Sequence, residues 1–306
     1  MKRLLISAPL LLCAVNFTFA QLVAPEHQAQ LDRVAILPQP PMPQRIVTGK
    51  TIFVGKVTAI EPKSVIAEIA PGSKAEARYQ VAVVAIKEGI QGVNGVTSVR
   101  LGFNPVVIPK KIAAPGKAER KRPYPVSTRQ VPISVGVEAL FFLKRHHKET
   151  FFVTEAYYDV MTRQSNPNFD RDVALLKRCL KVRRDPMSYL RSEKSSDRLL
   201  AVSVLLAEYN TPPVGAKQVR RVPIDDAEKS KLILEALAKA DWNNWRKPDP
   251  ETNLSVVALF NYLRLTPADG WRPRFRDYNK EFPVAAQKWL RDNAGKYRVQ
   301  RYVADE

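Results

Sequence analysis

Two regions of the chain differ in the spacing of their hydrophobic positions. Between about residue 46 and residue 162, apolar residues occur in short runs or at every second position, which is typical of β-strands. After Asn166 they recur at intervals of three and four, which is typical of amphipathic helices. The sequence therefore predicts an α+β protein in which a β region precedes a helical region.

Five strands are predicted in the β region, each ended by glycine, proline or a polar turn. Their approximate bounds are 52–60, 79–86, 99–103, 137–144 and 151–153. The polar residues 145–150 predict a hairpin turn between the last two strands. Five short strands favour a small closed or partly closed barrel, because closure removes exposed strand edges.

Capping signals divide the region from about 166 to 300 into helices. The residues expected to begin a helix are Asn168 or Asp170, Asp185, Ser195 to Asp197, Asp225 or Asp226, Asn253, and Thr266. A last helix is expected over 282–293, followed by a short extended tail over 297–303. The helix after Ser195 is apolar on nearly all sides as far as Tyr209, so it is expected at the centre of a bundle.

The first twenty residues have the pattern of a cleavable secretory signal. Lys2 and Arg3 precede an apolar stretch that ends near Val15, and Thr18 and Ala20 then stand three residues and one residue before the expected cleavage point. We expect cleavage after Ala20. A retained membrane anchor is the alternative, but a spanning helix needs about 20 apolar residues. No later run is long enough, so we expect no integral membrane segment. The predicted location is the periplasm, the cell envelope or the outside of the cell.

Residues 21–45 are predicted to form a proline-rich spacer. Pro38, Pro40, Pro41 and Pro43 lie close together, and proline favours extended polyproline geometry. The expected organisation is therefore a signal over 1–20, a spacer over 21–45, a barrel over 46–162 and a helical domain over 166–300.

Charge points to an anionic partner. The chain has 49 Lys and Arg against 30 Asp and Glu, a formal net charge of +19. Such a charge attracts anionic surfaces. Because the protein is expected outside the cytoplasm, we expect an anionic cell-envelope polymer or an acidic protein rather than nucleic acid. A basic proteome or an acidic habitat would give the same charge without any partner.

A long basic insertion interrupts the predicted barrel at residues 105–132. Loops of this length inside compact domains are usually either functional or disordered. We predict that it contacts the anion, with a solvated loop that binds nothing as the alternative. Its candidate contact residues are Lys110, Lys111, Lys117, Arg120, Lys121, Arg122 and Arg129.

Other residues that can carry chemistry favour structural roles. His146 and His147 are adjacent in a polar turn, and neighbours on a strand point to opposite faces, so a shared metal is not expected. Cys179 lies in an apolar run and is expected to be buried. Polar residues alternate over 166–172 as in a calcium loop, but the required glycine and distal glutamate are missing, which favours helix capping. No cofactor and no catalytic residue are predicted.

Tryptophan occurs four times, and always in the helical region. Exposed tryptophans can stack on sugars, but tryptophans near helix ends more often pack between helices. We therefore interpret Trp242, Trp245, Trp271 and Trp289 as core residues.

The β region resembles the netrin-like domain of the tissue inhibitors of metalloproteinases. The segments that carry the resemblance are IFVGKV at 52–57, YQVAV at 79–83, KEG at 87–89 and VGVEALFFL at 135–143. The resemblance implies an OB-type barrel. Those inhibitors place a disulfide-bonded amino-terminal cysteine on the target's metal, and this region has no cysteine, so protease inhibition is not implied. In the helical region, DRLLAV at 197–202 resembles the second helix of a HEAT-type unit, with an irregular bundle as the alternative.

Three functions are compatible with these patterns. The first is a non-catalytic exported protein that binds an anionic polymer or an acidic protein through a basic surface. The second is a protein-interaction scaffold that uses the helical domain. The third is an enzyme whose site the sequence does not reveal.

Overall fold

In a computed structural model, the described residues form a mixed α+β structure with one large sheet, a group of helices and a two-stranded ribbon. Residues from Pro40 onward belong to one compact unit. The described residues are 39–73, 75–107, 133–154, 156–216, 218–250 and 252–305.

The large sheet contains all five predicted strands and two short strands that were not predicted. Its members are β1 Thr51–Ile60, β2 Val65–Glu68, β3 Glu76–Gln91, β4 Ser98–Val107, β5 Glu138–Arg145, β6 Phe152–Val153 and β7 Val160–Thr162. β1 pairs with both β3 and β5, β3 pairs with β4, β4 with β6, and β6 with β5. The short strands add to this set, because β2 pairs with β3 and β7 pairs with β5.

Strands β1 and β5 are hydrophobic on both faces. In β1, Phe53 and Val57 lie in a core formed mostly by residues of the sheet, whereas Ile52 and Val54 pack with the helices. β5 follows the same alternation, with Phe141 in the core of the sheet. This burial on both sides explains why the two strands read as nearly continuous apolar runs.

Five of the seven helices begin within three residues of a predicted capping residue, whereas the first was not predicted and the last begins four residues before position 282. Their bounds are α1 Met42–Thr48, α2 Phe169–Arg184, α3 Pro186–Leu190, α4 Ser195–Tyr209, α5 Ala227–Ala238, α6 Val256–Tyr262 and α7 Tyr278–Asn293. Residues 200–207 of α4 are all buried, which confirms its central position. The side chains of Asp185 and Asp226 accept hydrogen bonds from the first turns of α3 and α5.

Two predicted helix starts were wrong in detail. Ser195 is already inside α4, and the residue before it, Lys194, makes no side-chain cap hydrogen bond. The helix expected from Asn253 begins only after Ser255, whose hydroxyl accepts a hydrogen bond from the Ala258 amide at 3.3 Å. The reason is the backbone of Asn253, which has a φ of 55° and therefore lies outside the helical region.

Helix α1 lies partly within the predicted spacer, so folded structure begins earlier than expected. Pro43 is compatible with this helix because it occupies the first turn, where a backbone N–H has no partner within the helix. The guanidinium of Arg45 lies 4.1 Å from the ring centre of Phe142 and donates to the carbonyl of Tyr158. Burial lowers the pKa of Arg45 to about 10, yet it stays charged at neutral pH.

The helical region also contains a second sheet, which has two strands. Strand β8, Val219–Pro223, was not predicted, and it pairs antiparallel with β9, Gln300–Ala304, where an extended tail was expected. Within the described ranges, no helix combines the length and the apolar character needed to span a membrane.

Candidate anion-binding surface

The basic residues predicted to contact an anion all lie outside the described residues. The set comprises Lys110, Lys111, Lys117, Arg120, Lys121, Arg122 and Arg129. The predicted signal over 1–20 lies outside them as well. A second basic surface is formed by residues of the helical region.

This surface is built on a cluster of aromatic side chains, here called the aromatic cluster. Phe282 of α7 lies at its centre, with its ring centre 4.9 Å from those of Trp245 and Tyr278. Trp242, Trp245 and Trp289 are buried, and Trp271 is half-buried, so the four tryptophans pack among helices as predicted. The members are Trp242, Trp245, Phe260, Trp271, Phe275, Tyr278, Phe282, Trp289 and Tyr297.

Residues 271–276, here called the arginine segment, lie on this cluster just before α7. Trp271 and Phe275 are half-buried and pack against Phe282, with ring centres 6.2 and 5.9 Å away. The three arginines that alternate with them, Arg272, Arg274 and Arg276, are exposed. The segment therefore places its two aromatic side chains against the cluster and its three arginines in solvent.

The carboxylates nearest in sequence are held by the backbone and not by these arginines. Glu281 accepts from the amides of Arg276 and Asp277, each at 3.1 Å. Asp277 caps α7 by accepting from the amide of Asn279 at 3.1 Å. Carboxylates at a helix N-terminus satisfy amides that have no partner within the helix, and they interact favourably with the helix dipole.

The arginine segment consequently keeps its charge without a fixed counter-ion. Among the described residues, Arg274 and Arg276 have no carboxylate within 4.0 Å and no side-chain hydrogen bond. Arg272 donates from Nε to the carbonyl of Pro267 at 3.2 Å and likewise has no carboxylate partner in the described ranges. Close by, the guanidinium of Arg246 lies 4.4 Å from the ring centre of Trp245. The arrangement can therefore present several guanidinium groups to a polyanion at once.

Upstream of the segment, Asp269 reaches back to Thr266 as the sequence predicted, but the Thr266 side chain makes no cap hydrogen bond. The carboxylate of Asp269 accepts from the Thr266 amide at 2.8 Å and from its hydroxyl at 2.7 Å. The helix that begins there is a single 3-10 turn, Pro267–Asp269, and Gly270 ends it at a φ of 75°. This left-handed residue turns the chain into the arginine segment.

The two adjacent histidines do not point to opposite faces, and that expectation was wrong. They follow the end of β5, in the predicted hairpin turn, and their rings stack with centres 4.4 Å apart. His146 is buried, and its Nδ1 lies 3.2 and 3.0 Å from the amides of Lys148 and Glu149. Its Nε2 lies 2.9 Å from the Glu68 carbonyl, so the ring acts as a structural brace for the turn.

The alternating polar residues near 170 are engaged with each other and with Arg163. The Asn166 amide donates to Asp172 at 2.8 Å, and Asp170 forms two 2.9 Å hydrogen bonds with Arg163. Asn168 precedes α2 but makes no side-chain cap hydrogen bond. Cys179 is fully buried, as predicted. Within the described part of the chain, no three His, Cys, Asp or Glu side chains are grouped closely enough to hold a metal ion.

Sequence reasoning missed the arginine segment, although a signal for it was present. Arginine alternates there with Trp271, Pro273 and Phe275 at every second position, a pattern that indicates an extended segment with one apolar face. The tryptophans by themselves predict burial. The arginines next to Trp271 and Phe275 predict, in addition, an exposed basic surface. Comparison with protein-family models and with curated proteins gave no match to this chain.

Proposed function

We propose that this chain is a non-catalytic exported protein that binds an anionic polymer or an acidic protein through a basic surface. The observation that carries the proposal is the arginine segment. It presents three exposed arginines that lack carboxylate partners among the described residues, on a backbone anchored by Trp271 and Phe275.

Because Trp271 and Phe275 hold the arginine segment in place, the segment loses less conformational entropy when a partner binds. The planar guanidinium is also suited to carboxylate and phosphate groups, with which it forms paired hydrogen bonds. Each contact with a polyanion releases condensed counter-ions, which makes binding favourable and sensitive to salt. Cleavage after Ala20 removes Lys2 and Arg3 and leaves a net charge of +17, which adds a long-range attraction for anions. The basic residues of the 105–132 insertion are candidates for the same role.

We infer that five strands of the large sheet form an OB-type barrel, to which β2 and β7 are added. The support is the order of pairing, in which β1, β3, β4, β6 and β5 follow one another and β5 returns to β1. The pairing of β4 with β6 is parallel, whereas the others are antiparallel. In an OB barrel the third and fifth strands pair in parallel and the fourth returns to the first, which is the same order. The HEAT-like character of the helix at 197–202 stays a prediction.

Export is tested by the mature N-terminus. When the full chain is expressed in a bacterial host, we expect it outside the cytoplasm with Gln21 as its first residue. Mass spectrometry of the recovered protein checks this prediction. A protein that stays in the cytoplasm with residues 1–20 intact would contradict it.

Binding is tested by retention of the mature protein on a phosphate-bearing cation-exchange resin at increasing salt. The key variant replaces Arg272, Arg274 and Arg276 with alanine. The matched control replaces three exposed cations that do have carboxylate partners, namely Arg191, Arg220 and Lys231. Both variants lose three positive charges, so net charge alone would affect them equally.

We expect the arginine-segment variant to elute at clearly lower salt than the control. A further variant without residues 106–131 measures the share of the basic insertion. The proposal fails if the protein elutes at the salt concentration expected of a weakly basic protein and no variant changes it.

A further inference from the structure

An open groove lies between the start of the arginine segment and one face of helix α7. Its volume is about 350 Å³, which is within the usual range of small-ligand sites, about 300–1,000 Å³. Residues 285, 288, 289, 292 and 293 of α7 line one side, and they share a helix face because their spacing is three to four. Residues 270–273 line the other side.

The aromatic part of the groove is fixed in place. The ring of Trp271 is half-buried and meets Phe260 edge-on, with centres 5.0 Å apart. The indole N–H of Trp289 donates to the carbonyl of Asp269 at 3.1 Å. Gly270 and Ala285 add little side-chain volume. The groove therefore contains a rigid apolar surface of the kind on which the C–H groups of a ring can stack.

The charged part of the groove has two cations and one carboxylate. Lys288 and Asp292 form an ion pair at 2.6 Å, and Arg272 is the second cation. The hydrogen bond from Lys288 lowers the pKa of Asp292, which is therefore ionised at neutral pH. The charged lining residues together have one net positive charge. Asp292 and the amide of Asn293 also supply oxygen atoms that can accept hydrogen bonds.

We propose that this groove binds a carboxylated sugar unit of an anionic polysaccharide. The inference rests on the proposed function and specifies its partner. A sugar acid has one negative charge for the net positive charge of the groove, C–H groups for the face of Trp271, and hydroxyls for Asp292 and Asn293. Arg272 binds its carboxylate, since guanidinium groups form strong paired hydrogen bonds with carboxylates. The ammonium of Lys288 has three N–H donors and adds one hydrogen bond to the carboxylate while it stays paired with Asp292.

Other anions fit the lining less well. A phosphate group has no C–H face to stack on Trp271, and two negative charges exceed the single net positive charge of the lining. An acidic peptide has no sugar ring for Trp271 and no hydroxyls for the oxygen acceptors. Selectivity for a sugar acid over these anions therefore distinguishes the groove from general attraction to the basic surface.

The test is isothermal titration of the full mature chain with trigalacturonic acid. The comparison ligands are neutral trigalactose, triglutamate and tripolyphosphate. Single variants Arg272→Ala and Lys288→Ala change the groove. Arg291→Ala is the matched control, because Arg291 is an exposed cation on the same helix that does not line the groove. Trp271→Leu removes the aromatic face, with the thermal unfolding midpoint checked for each variant.

We expect trigalacturonic acid to bind at least tenfold more tightly than the three comparison ligands. Arg272→Ala, Lys288→Ala and Trp271→Leu should each weaken this binding about tenfold or more, whereas Arg291→Ala should change it less than twofold. Equal binding of all three acidic ligands, or equal effects of Lys288→Ala and Arg291→Ala, would overturn the inference. Retention on the phosphate-bearing resin measures the proposed function separately, so either can fail without the other.

Discussion

Arg100 and Arg163 of the sheet region differ from the arginine segment in the partners of their charges. In the sheet region, Arg100 forms two hydrogen bonds with Glu61, at 2.6 and 2.8 Å. Arg163, directly after β7, links Glu138 of β5 to Asp170 of α2. In the helical region, the carboxylates beside the arginine segment bind backbone amides, and Arg274 and Arg276 have no carboxylate partner among the described residues.

The difference shows that the number of basic residues does not by itself locate a binding surface. A paired arginine stabilises the fold slightly, and its partner reduces the positive potential that an approaching anion meets. An unpaired arginine on a rigid support keeps its potential. Four predictions compare the two regions, in order of decreasing effect on the free energy of unfolding.

The largest effect is expected from loss of the ring at the centre of the aromatic cluster. Phe282→Ala should lower the free energy of unfolding by about 3–5 kcal/mol, since it leaves a cavity among large side chains. It should also weaken polyanion binding, because Trp271 and Phe275 pack against Phe282. Denaturant titration and resin retention measure the two effects.

The matched control is Phe103→Ala in the core of the sheet, where the ring is also buried. We expect a similar loss of stability and unchanged retention while the protein is folded. Equal loss of retention in both variants would show that the arginine segment does not depend on its local support.

A smaller effect is expected at the hairpin turn between β5 and β6. His146→Ala removes the acceptor for the amides of Lys148 and Glu149 and should lower the free energy of unfolding by about 2–3 kcal/mol. His147→Ala should cost less than about 1 kcal/mol, because its only polar contact among the described residues is a long one, 3.5 Å from Nε2 to the Glu68 carboxylate. Thermal or denaturant unfolding checks the difference. A larger loss of stability for His147→Ala than for His146→Ala would contradict the structural role assigned to His146.

The stability of the sheet region, in which Arg100 is paired with Glu61, should depend on pH. The hydrogen bond from Arg100 lowers the pKa of Glu61 below its ordinary value of 4.5. The folded pKa is the lower one, so the stabilisation is complete above pH 4.5 and is lost as the pH falls through the folded value. Glu61→Gln should therefore cost at most about 1 kcal/mol at neutral pH and nothing in acid. Unfolding curves across this pH range test it, and a difference independent of pH would contradict it.

The smallest change in stability is expected at the unpaired arginine. Arg274→Ala should change the free energy of unfolding by less than about 0.5 kcal/mol, as surface substitutions without partners usually do. It should nevertheless reduce retention on the phosphate-bearing resin. A stability loss as large as that of Glu61→Gln, with unchanged retention, would show that Arg274 stabilises the fold and does not bind the anion.

Much of the fold was predictable because local patterns reflect burial directly. β1 and β5 are apolar on both faces, and α4 is apolar all round, so each stood out in the sequence. Helix α1 was missed because its prolines favour a spacer, and only tertiary contacts show that Arg45 and Ile46 are buried. Strand β8 is short, and no residue of it is fully buried.

The candidate site was less predictable, since it depends on which partners the charged groups choose. The sequence shows Arg276, Asp277 and Glu281 close together, which would equally suit a set of salt bridges. Asp277 and Glu281 bind amides because α7 begins at Tyr278, which places both carboxylates next to the free amides of the helix N-terminus. This depends on backbone geometry, which the residue types alone do not predict.

The most direct test of the anion-binding proposal is the salt dependence of polyanion affinity. For each ionic contact that is lost, the slope of log K against log salt should fall by about 0.7–0.9, the range established for nucleic acids. Replacing Arg272, Arg274 and Arg276 with alanine should therefore reduce the slope by about 2–3. The Arg191, Arg220 and Lys231 control should leave it nearly unchanged. Equal slopes for the two variants would contradict the proposal that unpaired arginines on the aromatic cluster form the binding surface.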